Sequence, residues 1–210
     1  SRRSGNLAVT DLGRIASHYY IRHDTIEGFN AMLNAHLTES DALHVLASAN
    51  EFESLKVRPE ELPEIDKLKK WCKVDVKAAA EDTAGKVNIL LQGYINQSKM
   101  SGFTIISDTN YIAQNSGRIS RALFEISLRR GWSTMTNHFL TVSKCIDRRM
   151  WWYHTPLRQF GELPDDVIQK LEDRGADVDR LIDMSSAEIG QLIHNMKAGG
   201  KVLGLVRKLP

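Results

Sequence analysis

Four arginines lie close together in the segment QNSGRISRALFEISLRRGW, with Glu125 as the one acidic residue among them: Arg118, Arg121, Arg129 and Arg130. The planar guanidinium group of arginine can donate paired hydrogen bonds to a phosphate or stack on a base. Solvent-exposed helix faces usually mix charges of both signs. The cluster therefore predicts contact with a polyanion, and its chemistry is binding rather than catalysis.

A helical wheel divides this segment into an apolar and a polar side. At about 100° per residue, the apolar side contains Ile112, Ile119, Leu123 and Ile126. The polar side contains Gln114, Arg118, Arg121, Glu125 and Arg129, and Trp132 follows at nearly the same angle. An aromatic ring beside cations suits single-stranded nucleic acid, because bases stack on aromatic side chains. The candidate binding residues are Gln114, Arg118, Arg121, Arg129 and Trp132.

A plainer interpretation of the same residues stays open. Charged stripes are usually solvated faces, and both Arg121 and Arg129 lie four residues from Glu125, where weak ion pairs form. Trp132 could be a core anchor, which is the commoner role of a single tryptophan.

The C-terminal segment SSAEIGQLIHNMKAGGKVLGLVRKLP resembles a helix-hairpin-helix. Ala198, Gly199 and Gly200 are predicted to open its second helix. Glycines there would let backbone N–H groups approach a phosphate at a helix N-terminus. Gly199, Gly200 and Lys201 are therefore further candidates, and the alternative is a small packing domain whose glycines permit a tight turn.

The elements that position these residues are all predicted to be helical. Apolar residues recur three and four apart along most of the chain, and strand signals are nearly absent. The arginine helix is predicted to start near Ser107 or Asp108. Pro59 and Pro63 predict an extended connection that leads into an earlier polar helix, IDKLKKWCK. The fold class is all-α: a helical bundle over residues 11–155 and a small helical module over 160–210, after a cluster of Pro and Gly.

Composition places the chain among ordinary globular proteins, with 210 residues, 42% hydrophobic content and a formal net charge of +2. Its charge is unevenly distributed along the chain. Residues 24–86 contain 13 acidic and 8 basic residues, whereas residues 111–160 contain 2 acidic and 8 basic residues. A local basic region is what a polyanion would engage.

Motifs for independent catalysis are missing from the sequence. There is no GxxxxGK(S/T) phosphate loop, HExxH, GxSxG or Cys/His set with metal-ligand spacing. We assign no catalytic residue and no metal ligand, and we expect no cofactor in this chain. No apolar run approaches the roughly 18 residues of a membrane span, and two cysteines fit a reducing compartment. The abrupt start SRRSGNLAVTD suggests a piece cut from a longer protein.

Five segments together carry a resemblance to one family: TDLGRIASHYYI, KVNILLQGYI, IISDTNYIAQNSGRISRALFEISLRRGW, IDRRMW and PLRQF. They are similar to the Sec-sixty-three homology module that follows the winged-helix domain in large superfamily-two RNA helicases. These include the spliceosomal Brr type and the activating-signal-cointegrator-complex type, with its fungal Slh-type counterpart in ribosome quality control. The resemblance covers nearly the whole chain, and KMSGFTIISDTNYIAQNSGRI is nearer the cointegrator/Slh branch.

The resemblance implies a helical bundle with a "ratchet" helix that lines an RNA channel, followed by a helix-hairpin-helix. The ratchet helix matches residues 108–130 by position. Residues 1–10 would be a remnant of the preceding winged-helix domain, which would survive at most as the tail over residues 7–9. The implied function is a non-catalytic module that grips single-stranded RNA, while ATP and magnesium are used by motor domains elsewhere in the parent chain. Motor and winged-helix domains of the same chain would be its neighbours, in the cytoplasm or the nucleus.

The alternative is a protein-interaction scaffold. In the tandem-cassette helicases that this sequence resembles, a second copy of the module can serve protein partners instead of RNA. Such a copy would dock partners in a ribosome-quality-control, cointegrator or spliceosomal complex.

Overall fold

The computed structural model describes residues 8–209, which form two compact units, one ending at Arg149 and one beginning at Met150. All regular secondary structure in the described residues is helical, and no strand is present among them, so the all-α prediction is confirmed. Most of the predicted winged-helix remnant lies outside the described residues. The part within them, residues 8–10, is exposed and non-helical.

The first unit contains seven α-helices in the described chain: α1 (Asp11–His18), α2 (His23–Met32), α3 (Glu39–Ala47), α4 (Leu62–Lys69), α5 (Thr83–Ile95), α6 (Phe103–Arg129) and α7 (Ser133–Arg148). Short 3₁₀ helices cover Asn50–Phe52 and Pro59–Glu61. The long helices α6 and α7 form an antiparallel hairpin, and α5 packs against both. Helix α6 is the longest of these helices.

Helix α5 forms the centre of the first unit. Every residue from Gly85 to Gly93 is buried, as expected for a helix that is apolar on most of its faces. A Cβ atom on Gly85 would lie 1.7 Å from the carbonyl oxygen of Ala79, so only glycine fits there. The side chain of Gln92 satisfies the backbone of the preceding loop, because it accepts from the N–H of Val74 at 3.0 Å and donates to its carbonyl at 2.9 Å.

Helix α6 begins at Phe103, four to five residues earlier than the predicted start at Ser107 or Asp108. The capping group is not local. The carboxylate of Glu64, on α4, accepts from the N–H groups of Ser101 at 2.7 Å and Gly102 at 3.0 Å. An acidic group is stabilising at a helix N-terminus, and this one is 37 residues away in sequence.

The prediction for the two prolines is half right. Arg58 is extended before Pro59 (φ −103°, ψ 141°), but Leu62 is helical before Pro63 (φ −53°, ψ −44°). Pro63 occupies the first turn of α4, where its missing N–H has no intrahelical acceptor to lose. The preference of a residue before proline for extended backbone is therefore overridden at Leu62.

The second unit, predicted as a small helical module, contains four short helices within the described residues: α8 (Asp165–Asp173), α9 (Val178–Ile182), α10 (Ser186–Leu192) and α11 (Met196–Val206). A 3₁₀ helix over Pro156–Phe160 precedes them. They share one core of buried apolar side chains that includes Leu157, Leu171, Leu181, Ile189 and Val202. Helix α10 is capped by Ser185 and Glu188, which form a capping box.

Candidate nucleic-acid interface

The apolar side of α6 is fully buried. Ile112, Ile119 and Leu123 are 0% exposed and Ile126 is 2% exposed, so the helical wheel assigned this face correctly. Three serines are also buried, and their small side chains allow neighbouring elements to pack close to α6: Ser116, Ser120 and Ser127. Because its inner face is fixed in this way, the outer face of α6 is presented on a rigid helix.

A buried ion cluster also anchors the N-terminal half of α6. The ammonium group of Lys86, which is 0% exposed, lies 2.6 Å from Glu61 Oε2 and 2.7 Å from Asp108 Oδ2. Arg58, whose side chain is partly exposed, contacts the same carboxylate, with its Nη1 2.5 Å from Glu61 Oε1. Burial by itself would raise the pKa of Glu61, but hydrogen bonds from Lys86, the Arg58 N–H and other groups outweigh it and lower this pKa to about 2. The cluster was not found from the sequence, because its members come from three separate elements.

Arg118 holds the end of α1. Its guanidinium donates to the carbonyl of Tyr19 at 3.0 Å, to the carbonyl of Tyr20, and through Nε and a terminal nitrogen to Asn115 Oδ1 at 3.2 and 2.7 Å. Tyr20 has a positive φ of 52° just past the helix C-terminus, where carbonyls lack intrahelical donors. Four of the five N–H donors of the guanidinium are thus used inside the protein.

Arg121 lies on the exposed outer face, where it pairs with Asp147 of α7. Arg121 Nη2 lies 2.5 Å from Asp147 Oδ2, and the side chains of Arg121 and Asp147 are 57% and 40% exposed. A surface ion pair of this kind contributes about 0–1 kcal/mol, so a phosphate can replace the carboxylate at little cost. Gln114 is also exposed on this face, and its amide makes no hydrogen bond within residues 8–209.

Arg129 is held between two carboxylates. Its nitrogens lie 2.9 Å from Glu125 Oε1 and 3.3 Å from Asp11 Oδ1, and the hydrogen bond to Glu125 raises the pKa of Arg129. The i,i+4 pair with Glu125 is one of the two that the plainer interpretation of the sequence expected, and the other, between Arg121 and Glu125, is not formed. Arg121 instead pairs with Asp147.

Trp132 lies in the turn between α6 and α7 and is half-buried. The guanidinium carbon of Arg130 is 4.9 Å from the centre of its ring, so an aromatic ring does lie beside a cation here. Gly131 (φ 70°) makes the turn, and the N–H of Trp132 donates to the carbonyl of Ser127 at 3.1 Å. Helix α6 therefore ends in a Schellman-type turn.

Arg118, Arg121 and Arg129 form a basic ridge on the outer face of α6. The charge of this ridge is largely neutralised within the unit. Carboxylates of Asp147, Glu125 and Asp11 contact its arginines. Two cations that sequence reasoning did not select, Lys144 and Arg148 of α7, are exposed and have no ion pair in the described part of the chain. Their spacing of four residues on one helix was the signal that could have identified them.

The glycines of the second unit do not open α11 as predicted. The helix begins at Met196, and the side chain of Asn195 accepts from the N–H of Ala198 at 3.2 Å. A Cβ atom on Gly199 would lie 2.0 Å from the carbonyl oxygen of Ser186, so this buried glycine lets α10 and α11 pack closely. Gly200 and Lys201 are exposed, and the Lys201 ammonium donates to the carbonyl of Glu162.

Comparison with known families gives one match that covers most of the chain. The Sec63 Brl domain matches residues 9–194. The chain belongs to the Sec63 Brl domain family. The resemblance read from the sequence is thereby confirmed.

Relatives of this Sec63 Brl domain occur in two kinds of protein. Chicken (Gallus gallus) activating signal cointegrator 1 complex subunit 3 is 48% identical over 209 residues, and its human (Homo sapiens) counterpart is 47% identical over 209 residues; each match covers 99% of this chain. The human U5 small nuclear ribonucleoprotein 200 kDa helicase is 42% identical over 209 residues, 100% of this chain. The chain spans 10% of the length of each of these relatives.

The Sec63 Brl domain is therefore a helicase-associated module. Its identity with the chicken cointegrator subunit, 48%, exceeds that with the human U5 helicase, 42%, in line with the branch that the sequence favoured. Among the helices of residues 8–209, none is long and apolar enough to cross a membrane.

Proposed function

We propose that this Sec63 Brl domain is a non-catalytic channel module of an ATP-dependent RNA helicase and that it grips single-stranded RNA along the outer face of α6. The observation that carries the proposal is the exposed position of Arg121 and Gln114 on a 27-residue helix whose other side is buried. At about 1.5 Å per residue, such a helix offers a rigid wall along which a strand could run.

Each predicted residue has its own part in this proposal. Arg121 exchanges Asp147 for a phosphate, and Gln114 donates to the strand beside it. Arg129 and Trp132 extend the contact at the C-terminal end of α6, the latter by stacking. Arg118 serves mainly as a positioning residue, because it ties α1 to α6.

The second unit would add a contact of its own. Gly200 and Lys201 are exposed in the second turn of α11, where the Lys201 ammonium could meet a phosphate, while Gly199 keeps α10 and α11 close enough to form the hairpin. Motor domains of a parent chain would supply ATP and magnesium chemistry, and the complete protein would act in the cytoplasm or nucleus.

The proposal is tested by fluorescence anisotropy of labelled single-stranded RNA titrated with the 210-residue chain over a salt series. Arg121→Gln removes one charge and should weaken binding by about 10- to 150-fold, since a hydrogen bond to a charged group contributes about 1.5–3 kcal/mol. The slope of log affinity against log salt should fall by about 0.7, the value for one single-strand phosphate contact.

Arg180→Gln is the matched control, because Arg180 is an exposed arginine on α9 and its loss changes the net charge equally. Its affinity and salt slope should stay close to those of the unmodified chain. Binding without any salt dependence, or an equal loss in both variants, would contradict a phosphate contact at Arg121.

A second candidate function is a protein-interaction scaffold, favoured by the internal pairing of the ridge arginines with Asp147, Glu125 and Asp11. Arginines that already contact carboxylates give a polyanion less to gain. In a full-length helicase containing this module, Arg121→Gln should reduce RNA unwinding if the channel function holds. Unchanged unwinding, combined with loss of a protein from the assembled complex, would select the scaffold.

A further inference from the structure

Tyr94 and Arg149 form a cation–π pair near the N-terminal half of α6. The guanidinium carbon of Arg149 is 4.4 Å from the centre of the Tyr94 ring, and its Nε donates to the Tyr94 carbonyl at 3.4 Å. Arg149 has a positive φ of 51°, and its own carbonyl accepts from Gln97 Nε2 at 3.1 Å. Several contacts thus fix the pair, although its members are 55 residues apart in sequence.

This pair forms one wall of a small cleft of about 220 Å³ that Met100, Ile106, Thr109 and Asn110 also line. Pockets for drug-sized ligands enclose about 300–1,000 Å³, so the cleft suits a smaller group. Ile106 is 41% exposed. The amide of Asn110 makes no hydrogen bond to any described residue, which leaves both a donor and an acceptor at the rim.

The cleft is continuous with the outer face of α6. Ile106, Asn110 and Gln114 follow one another at intervals of four residues, so they lie on one face of the helix. At about 1.5 Å per residue, Ile106 and Arg121 are about 22 Å apart along the axis. Asp147, the partner of Arg121, precedes Arg149 by two residues. One surface therefore joins Arg121 to the cleft.

We infer that the cleft at Tyr94 and Arg149 is a base-stacking subsite that receives one unpaired nucleobase of the RNA strand proposed to run along α6. The inference rests on the proposed function and adds a residue-level contact to it. A guanidinium stacked on a tyrosine ring presents a flat polarisable surface, on which any base can stack. Asn110 reads or supports the edge of that base, while exposed Arg148 and Lys144 lie on the helix that ends at the cleft and can meet the phosphates.

The chemistry favours a base over a phosphate alone. A phosphate site needs several N–H donors directed at one point, whereas this cleft offers one guanidinium and one amide beside the Tyr94 ring, and the rest of its lining is two apolar side chains and two hydroxyls. Stacking also tolerates every base, which suits a module that contacts a moving strand.

The test compares two RNAs of equal length, oligouridine and an abasic oligomer with the same sugar–phosphate backbone, by fluorescence anisotropy with the 210-residue chain. Tyr94→Leu should weaken oligouridine binding by about 5- to 150-fold, the range expected for one stacked base. It should leave abasic binding and the salt slope unchanged. Arg149→Asn should weaken both, since it removes a stacking group and a charge while asparagine tolerates the positive φ.

Two controls separate stacking from general damage. Tyr94→Phe keeps the ring and should bind oligouridine like the unmodified chain. Trp152→Leu removes an aromatic side chain that is 48% exposed in the second unit and should change neither affinity. Photo-crosslinking of 4-thiouridine RNA to the unmodified chain should label a peptide containing Tyr94, and this readout does not depend on any variant folding.

The failures are distinguishable. If Arg121→Gln weakens RNA binding but Tyr94→Leu does not, and no crosslink maps to the cleft, the subsite is wrong and the channel function stands. An equal loss of oligouridine and abasic binding in Tyr94→Leu overturns the stacking role. If the unmodified chain binds neither RNA, the subsite and the proposed function fail together.

Discussion

At the scale of single residues, Lys86 is a fully buried cation held between two carboxylates in the first unit. It is 0% exposed and contacts the carboxylates of Glu61 and Asp108. Glu61 has a folded-state pKa of about 2, below its usual 4.5. A lowered carboxyl pKa contributes stability above the unfolded value, and this stability is lost as pH falls from about 4.5 towards 2.

Lys86→Met should destabilise the chain by about 3–5 kcal/mol, because removing one partner leaves buried carboxylates uncompensated. Urea unfolding followed by circular dichroism measures the change. Adding Asp108→Asn should recover part of the loss, and acidification should cost the single variant less than the unmodified chain, since Glu61 then protonates more readily.

Lys69→Met is the control for Lys86→Met, because Lys69 is exposed on α4. Its free energy of unfolding should stay within about 0.5 kcal/mol of that of the unmodified chain. A similarly small effect of Lys86→Met would show that the buried pair contributes nothing net to stability.

Residue identities alone predicted where charge lies but not which groups neutralise it. The wheel placed Arg118 and Arg121 on the outer face of α6. It could not show that α1 ends beside Arg118 or that Asp147 lies beside Arg121, because these neighbours are 98 and 26 residues away. The Tyr94–Arg149 pair was missed for the same reason. Such contacts depend on tertiary packing, which periodicity does not encode.

At the scale of elements, periodicity predicted α6 well over its length and poorly at its start. Its apolar residues recur at helical spacing, so burial follows from the pattern. The start at Phe103 depends on Glu64, a cap from another helix. The predicted start at Ser107 or Asp108 was therefore too late, and Asp108 is the buried partner of Lys86 inside the helix.

Leu123→Ala should destabilise the chain by about 2–5 kcal/mol, because Leu123 is 0% exposed and its truncation leaves a cavity. Arg121→Ala, two residues earlier on the exposed face, should cost at most about 1 kcal/mol. Paired urea melts compare the two. The reverse ranking would mean that α6 presents the opposite face to the core.

At the scale of the whole molecule, net charge and local charge make different demands on a polyanion. A formal net charge of +2 over 210 residues gives little long-range attraction, so any RNA affinity must come from a local surface. The acidic stretch of residues 24–86 belongs to the first unit, and so does most of the basic stretch of residues 111–160, which crosses into the second unit after Arg149. The sequence predicted this asymmetry, but the pairing of the basic ridge with carboxylates reduces its effect.

Asp147→Asn should therefore strengthen binding to single-stranded RNA by about 1.5- to 5-fold, because it releases Arg121 from an ion pair worth about 0.2–1 kcal/mol. The salt slope should steepen by up to about 0.7, as Arg121 gains a full phosphate contact. Asp147 lies near the C-terminus of α7, where a negative charge is unfavourable, so the variant should fold normally. Fluorescence anisotropy over a salt series measures both quantities.

Asp66→Asn makes the same change in net charge at an exposed position on α4 and should leave RNA affinity nearly unchanged. If both variants strengthened binding equally, the attraction would come from the net charge of the molecule and not from the outer face of α6. If only Asp147→Asn strengthened binding, the carboxylate beside Arg121 would be competing with the RNA phosphates for that arginine, because Asp66→Asn changes the net charge by the same amount.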